Sequence, residues 1–135
     1  MINAKIASWP HYSSAEIQAA KNVLESGKVN YWSGNEGKSF EKEFANWTNT
    51  KYAIALANGS IALSTAYSAL GIKANDEVIT TPRTFIATSS SACLLGAKPI
   101  FADVDINSGN ITAKNIEPLI TNLTPIGIML VLLLQ

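Results

Sequence analysis

The chain has 135 residues, enough for one domain with a modest core, and its 10 Lys and Arg balance its 10 Asp and Glu. With no basic field and no polybasic patch, neither nucleic acid nor an acidic membrane surface is an expected partner. Cys93 is the only cysteine, so no internal disulfide forms, which fits a reducing cytoplasm. Cys93 lies in an apolar helical stretch and reads as a small buried hydrophobe. One cysteine makes no zinc site and His11 has no neighbouring ligand, so no metal is expected.

In chain order, residues 1–9 lack the apolar core of a signal peptide. Ser13-Ser14-Ala15-Glu16 has the form of a capping box, with Ser13 as cap and Glu16 reaching back. Ile17, Ala20, Val23 and Leu24 come next at helical spacing, and Gly27 stops the helix. Residues 28–37 are too rich in Asn, Ser and Gly for regular structure and read as a loop. A second helix over residues 38–47 places Phe40, Phe44 and Trp47 on one face, where they read as core.

From there strand and helix alternate. A strand is expected over 52–56 and a helix over 60–70, ended by Gly71. A strand over 77–80 leads through Pro82 to a helix over 84–95, ended by Gly96. A strand over 99–103 leads through Asn107-Ser108-Gly109 to a helix over 112–120. The closing apolar run, 126–134, is about half as long as a membrane span needs. It reads as a buried strand or a damaged end rather than an anchor. Strands joined by such helices pair in parallel through right-handed crossovers. The expected class is therefore α/β, a three-layer α/β/α arrangement with a mostly parallel sheet. Ligands in such sheets sit beyond the carboxyl ends of the strands.

Three features meet that edge. In Ala57-Asn58-Gly59-Ser60-Ile61-Ala62-Leu63 a strand turns through Asn-Gly-Ser into a helix. The N–H groups at a helix start and the helix dipole favour an anion, above all a phosphate. Gly59 lets the backbone approach closely, and Ser60 adds a hydroxyl donor. Thr81-Pro82-Arg83-Thr84-Phe85-Ile86-Ala87-Thr88 is a second strand-to-helix turn and carries an aromatic. From the residues alone, Phe85 reads as a core Phe at a helix start. Arg83 reads either as a surface charge or as a group that meets a substrate phosphate or carboxylate. The third feature is a strand ending in Asp103-Val104-Asp105. Paired carboxylates can serve a metal or acid–base chemistry, but no other ligand or base accompanies them, and Asp commonly caps such turns. A phosphate cradle beside an aromatic suits a phosphorylated planar ring.

The order and spacing of several landmarks resemble one family. They are Ser26-Gly27, Tyr31-Trp32-Ser33-Gly34, Phe40-Glu41-Lys42-Glu43-Phe44-Ala45, the residues from Ala57 to Leu63, Asp76-Glu77-Val78-Ile79, Thr84-Phe85-Ile86-Ala87-Thr88 and Gly96-Ala97-Lys98-Pro99. The family is the DegT-type, pyridoxal-phosphate (PLP) dependent sugar-nucleotide aminotransferases of the fold-type I superfamily, and the resemblance runs from about residue 9 to 124. It implies transfer of an amine from glutamate, through the cofactor, to a keto group on a sugar nucleotide. It also implies a homodimer. By position, Gly59 and Ser60 bind the cofactor phosphate, Ile61 adds a backbone donor, and Phe85 stacks on the pyridine ring. The loop of Tyr31 and Trp32 is placed near the substrate. The domains implied are an N-terminal helix and active-site loop over 1–36 and part of the PLP-binding large domain over 37–135.

Beyond the matched region the chain departs from the family pattern. The lysine that forms the Schiff base and the acid that faces the pyridine nitrogen both come later in the family. Lys51, Lys73 and Lys98 do not match that lysine's position, so no catalytic residue is assigned here. The ending from Asn122 onward lacks the expected polar residues and a Val-His pair, as a frameshift or early stop would produce. The expectation is an N-terminal portion of the large domain, inactive and marginally stable alone. Alternatives are a non-catalytic relic, or a PLP-dependent sugar dehydratase of the same superfamily. A dinucleotide-binding domain is weakened because no Gly-x-Gly-x-x-Gly succeeds the first clear strand. Asn75 stands where Gly usually precedes Asp-Glu-Val-Ile, at a turn that Asn tolerates.

Overall fold

The computed structural model describes residues 9–125. The signal-peptide reading of the first nine residues falls almost wholly outside that range, and the reading of 126–134 does so entirely. The chain divides into two compact units, residues 1–55 and 56–135.

The first unit contains α1 (Ser14–Ser26) and α2 (Glu36–Trp47). The capping box forms as its spacing predicts. Ser13 Oγ accepts the Glu16 N–H at 3.3 Å, and Glu16 Oε2 accepts the Ser13 N–H at 2.6 Å. The helix closes at Gly27, which takes a left-handed φ of 67° and donates its N–H to the Leu24 carbonyl. α2 begins two residues before its expected start. Its C-terminal carbonyls are met by Thr48, whose hydroxyl donates to the Phe44 carbonyl at 2.8 Å.

The aromatic stripe on α2 is a correction. Phe40 and Phe44 lie 5.7 Å apart by ring centroid, and Phe44 and Trp47 lie 5.6 Å apart. All three remain exposed, and Ala45 is the one residue of α2 that is buried. Two helices and a loop supply too little surface to enclose three large rings, so the rings cover one another instead.

The second unit runs α3 (Gly59–Ala69), β1 (Glu77–Thr80), α4 (Ala87–Cys93), β2 (Lys98–Phe101), α5 (Ala113–Ile116) and a 3₁₀ turn (Glu117–Leu119). The strands pair in parallel, with Glu77 opposite Lys98 and Thr80 opposite Phe101. The pairing extends at both ends, where Lys98 N–H donates to the Asp76 carbonyl and Ala102 N–H to the Thr80 carbonyl. A helix between two parallel strands is the crossover the sequence predicts, so the α/β class stands. Beside β1, Glu77 N–H donates to the Leu123 carbonyl at 2.9 Å.

The core of this unit is Leu63 and Tyr67 from α3, Ile72, Val78 of β1, Ala87 and Ala92 of α4, and Ala97. Alanines on α4 keep its backbone close to α3 and to the sheet, because a small side chain sets a short interaxial distance. Cys93 at the end of α4 is exposed rather than buried, since Ala92 takes the inward position and the next residue turns about 100° away from it.

Other differences have local causes. Residues 52–56 form no strand. Their backbone finds no ladder partner among the described residues, and a lone extended segment has nothing to hold it as a strand. α4 starts three residues late because 84–86 still belong to the turn that Pro82 imposes. The helix expected over 112–120 breaks after Ile116, where Pro118 lacks the N–H that continuation requires, and a 3₁₀ turn takes over. Asn75 takes the left-handed conformation with φ 72°, the conformation a glycine would supply there.

Gly96 holds φ 79°, and a Cβ built on it would lie 3.0 Å from Ala74 Cβ and 3.2 Å from Ala74 Cα. Both the conformation and the contact exclude a side chain. Gly96→Ala is expected to cost about 1–2 kcal/mol of stability, read from urea unfolding, with little change in the slope of the transition.

Candidate functional site

The first turn of α3 is built from Asn58. Its backbone is extended (φ −165°, ψ 170°), and its Oδ1 accepts the Ile61 N–H at 3.0 Å. Asn58 is thus a true N-cap. The Ile61 N–H, which the resemblance offers to a phosphate, is engaged by this carboxamide. Gly59 and Ser60 N–H groups have no acceptor among the described residues. A Cβ built on Gly59 would meet nothing within 4 Å, so the space before these amides is open. Ser60 is exposed, and its carbonyl accepts from Ser64 Oγ at 3.0 Å. Two oriented amides at the positive end of an 11-residue helix, a neighbouring hydroxyl and open space are features that favour an anion.

The turn after β1 holds Phe85. Phe85 is 65% exposed, so it is not the core residue that its place at a helix start predicts. Phe85 carbonyl accepts the Thr88 N–H at 3.1 Å, which fixes the backbone on entry to α4. α3 and α4 pack on each other. Ser91 Oγ lies 3.4 Å from the Ser60 carbonyl, and the Tyr67 hydroxyl donates to the Thr88 carbonyl at 3.1 Å. The amide turn and the aromatic turn therefore belong to one packed helix pair.

Arg83 is exposed, in keeping with a surface charge. Its Nη1 donates to the Gly109 carbonyl at 2.5 Å, tying the turn after β1 to the loop after β2. That loop is organised by Asp105, whose Oδ1 accepts from Asn107 N–H, Ser108 N–H and Ser108 Oγ at 2.8–3.1 Å. Asp103 Oδ1 accepts its neighbour's N–H, from Val104, at 2.8 Å. Both carboxylates thus accept from nearby backbone N–H groups, and Asp105 also from the Ser108 hydroxyl, as turn chemistry predicts. The bonds from Ser108 hold the Asp105 carboxyl below the usual aspartate range. Among the described residues no group of three or more His, Cys, Asp or Glu is placed to hold a metal.

In the first unit, the loop of Tyr31 and Trp32 is ordered by Asn30. Its Oδ1 accepts the N–H groups of Trp32 and Ser33, each at 3.0 Å, and its carbonyl accepts the Gly34 N–H. Tyr31 and Trp32 rings meet edge to face at 6.4 Å, and Trp32 is 91% exposed. Lys38 Nζ stands 5.3 Å above the Tyr31 ring. Val23, Lys28, Tyr31 and Gly37 help line an open cavity of about 240 Å³ beside this loop. The Tyr31 hydroxyl donates to Glu41 Oε2 at 3.0 Å, and Glu41 Oε1 accepts the Ala55 N–H at 2.8 Å. Glu41 belongs to a landmark motif in the sequence, but nothing in its spacing reveals this double role.

These features can be set beside known proteins. Residues 10–134 match the family described as DegT/DnrJ/EryC1/StrS aminotransferases. The chain belongs to that family. The spore coat polysaccharide biosynthesis protein SpsC of Bacillus subtilis is 40% identical over 114 residues, 84% of this chain and 29% of SpsC. The crystal structure of the aminotransferase from Psychrobacter cryohalolentis superposes with a TM-score of 0.85 at 51% identity, over 87% of this chain and 30% of that one. Spr1654 of Streptococcus pneumoniae, described as a sugar aminotransferase and solved in its PLP form, superposes with a TM-score of 0.79 at 27% identity, over 85% and 29% of the two chains. The chain thus spans about three tenths of the length of these relatives. The family is one of PLP-dependent aminotransferases, and the α/β fold with its parallel strands is that of its fold-type I members.

Two titrations are set by this geometry. The hydrogen bond to Glu41, and then its negative charge, raise the Tyr31 phenol above the ordinary tyrosine value. Glu41→Gln is expected to return the Tyr31 midpoint towards that value in an ultraviolet difference titration. The Asp105 carboxyl is depressed, so its bonds contribute stability that is complete above the ordinary aspartate pKa and is lost as pH falls through the lowered folded value. Ser108→Ala is expected to move the Asp105 midpoint upward in a carboxyl NMR titration.

Proposed function

We propose that this chain supplies the phosphate cradle and ring-stacking face of a PLP-dependent aminotransferase that acts on a keto sugar nucleotide with glutamate as amino donor. The observation that carries the reading is the pairing of α3 and α4. α3 presents the Gly59 and Ser60 amides into open space, and the turn into α4 leaves Phe85 exposed. Family membership and a relative solved in its PLP form support the cofactor, and the polysaccharide-biosynthesis role in the name of SpsC supports a sugar substrate.

The residues present fit the cofactor's phosphate and ring. When bound, the cofactor supplies an electron sink that lets an amino group leave one carbon and join another. The protein's part in this unit is to hold and orient. Gly59 and Ser60 N–H groups bind the phosphate oxygens, and the Ser60 hydroxyl adds a third donor. Asn58 caps the Ile61 N–H, so the phosphate would rest on the two earlier amides and the Ser60 hydroxyl. Phe85 covers one face of the ring, which fixes its tilt and keeps water from that face. Tyr31 and Trp32 are proposed to meet the sugar nucleotide, with Glu41 and Asn30 setting their loop. A homodimer in the cytoplasm completes the reading, and the single cysteine is compatible with that compartment.

The test uses pyridoxamine phosphate, which forms no imine with surface lysines, in calorimetric titration of the full chain. Binding is expected to exceed that of pyridoxamine at least tenfold, because the dephosphorylated amine loses the cradle. Ser60→Ala is expected to weaken pyridoxamine phosphate about fivefold, the loss of one hydrogen bond to a charged group. Equal binding of the two amines would overturn the cradle.

A further inference from the structure

The resemblance singles out the two ends of the cofactor site but no residue that sets the spacing between them. A ligand held at its phosphate by one turn and at its ring by another needs those turns at a fixed separation, because a displacement of about 1 Å is enough to lose much of the benefit of orientation. The core cluster that α3 and α4 share includes the apolar side chains of Leu63, Ala87 and Ala92. Apolar contact is non-directional and resists sliding along the helix axes weakly. Two polar contacts do have direction. Tyr67 is 1% exposed and its hydroxyl reaches across to the Thr88 carbonyl in the first turn of α4. Ser91, also buried, reaches back from α4 to the Ser60 carbonyl at the first turn of α3. A phenylalanine would fill the same apolar space as Tyr67, so the hydroxyl is not required for burial. What it adds is register.

We infer that Tyr67 is a positioning residue for the cofactor site: its hydroxyl locks the first turn of α4, and with it Phe85, at the separation from the Gly59-Ser60 amides that a phosphorylated pyridine needs. Ser91 is the weaker second lock. Tyr67 is buried and reaches Thr88, so no direct contact with phosphate or ring is assigned to it. It acts through Thr88, whose N–H in turn is held by the Phe85 carbonyl. The inference rests on the cofactor reading above and goes further, because it assigns the spacing of the site to a buried phenol in the middle of α3.

The experiment compares the full chain with Tyr67→Phe and Ser91→Ala, by calorimetric titration with pyridoxamine phosphate and with inorganic phosphate. Tyr67→Phe is expected to weaken pyridoxamine phosphate about fivefold and to leave inorganic phosphate unchanged, because the cradle itself is intact and only its distance to Phe85 is loosened. Ser91→Ala is expected to do the same to a smaller extent. Amide hydrogen exchange at Thr88 and Ser89 is expected to speed up in Tyr67→Phe while Val78 and Ile79 keep their rates. Unchanged binding of pyridoxamine phosphate by both variants overturns the inference. Parallel weakening of both ligands also overturns it, since that marks general loosening of the fold. If the parent chain binds pyridoxamine phosphate no better than pyridoxamine, the cofactor reading itself falls, and the role of Tyr67 falls with it.

Discussion

The second unit depends on one buried contact, the packing of α3 against α4 around Tyr67 and the alanines of α4. Everything proposed for the site derives from it. The crossover helix must lie close to the sheet for Val78 to be covered, and small residues on α4 permit that approach. The same closeness brings α3 against α4, so the start of one helix and the turn before the other share a single packed unit. A buried hydroxyl is costly unless it is paired, and Tyr67 is paired with a helix carbonyl on the opposing element. That pairing turns a non-directional apolar contact into one with a preferred register.

At the helix start of α3 the cap and the proposed anion site share the same few atoms. Asn58 caps with its side chain, which satisfies the Ile61 N–H and leaves two earlier amides for a ligand. A Cβ on the glycine between them would meet no atom within 4 Å, so the space beside it is open. The loop beyond β2 is stabilised separately, by Asp105 and by the strut from Arg83 to Gly109. Charge in this region is directed at backbone carbonyls and amides, which keeps the turns at the carboxyl ends of the strands in defined positions.

Much of this is legible in the sequence. The bounds of β1, the capping box at Ser13, the stop at Gly27 and the turn chemistry of Asp105 are local, so local pattern suffices. The start of α3 is legible for the same reason, since a cap and a glycine precede an apolar helix. The illegible features depend on partners distant in the chain. Residues 52–56 carry strand-forming side chains, but a strand exists only where another pairs with it. The stripe of Phe40, Phe44 and Trp47 has the spacing of a core face, yet spacing does not supply a covering surface. Phe85 reads as core on similar grounds and is exposed. No local signal marks Tyr67, because its hydroxyl's partner, Thr88, lies 21 residues on. Glu41 is likewise visible as part of a motif, while its bonds to Tyr31 and Ala55 are not.

The most direct test of the central claim is a backbone and aromatic NMR map of the full chain titrated with pyridoxamine phosphate. The account predicts that the largest shifts fall together, at the amides of Gly59 and Ser60 and at the ring protons of Phe85, with one common binding curve. Shifts at the amides without the ring, at the ring without the amides, or along two different curves would contradict it.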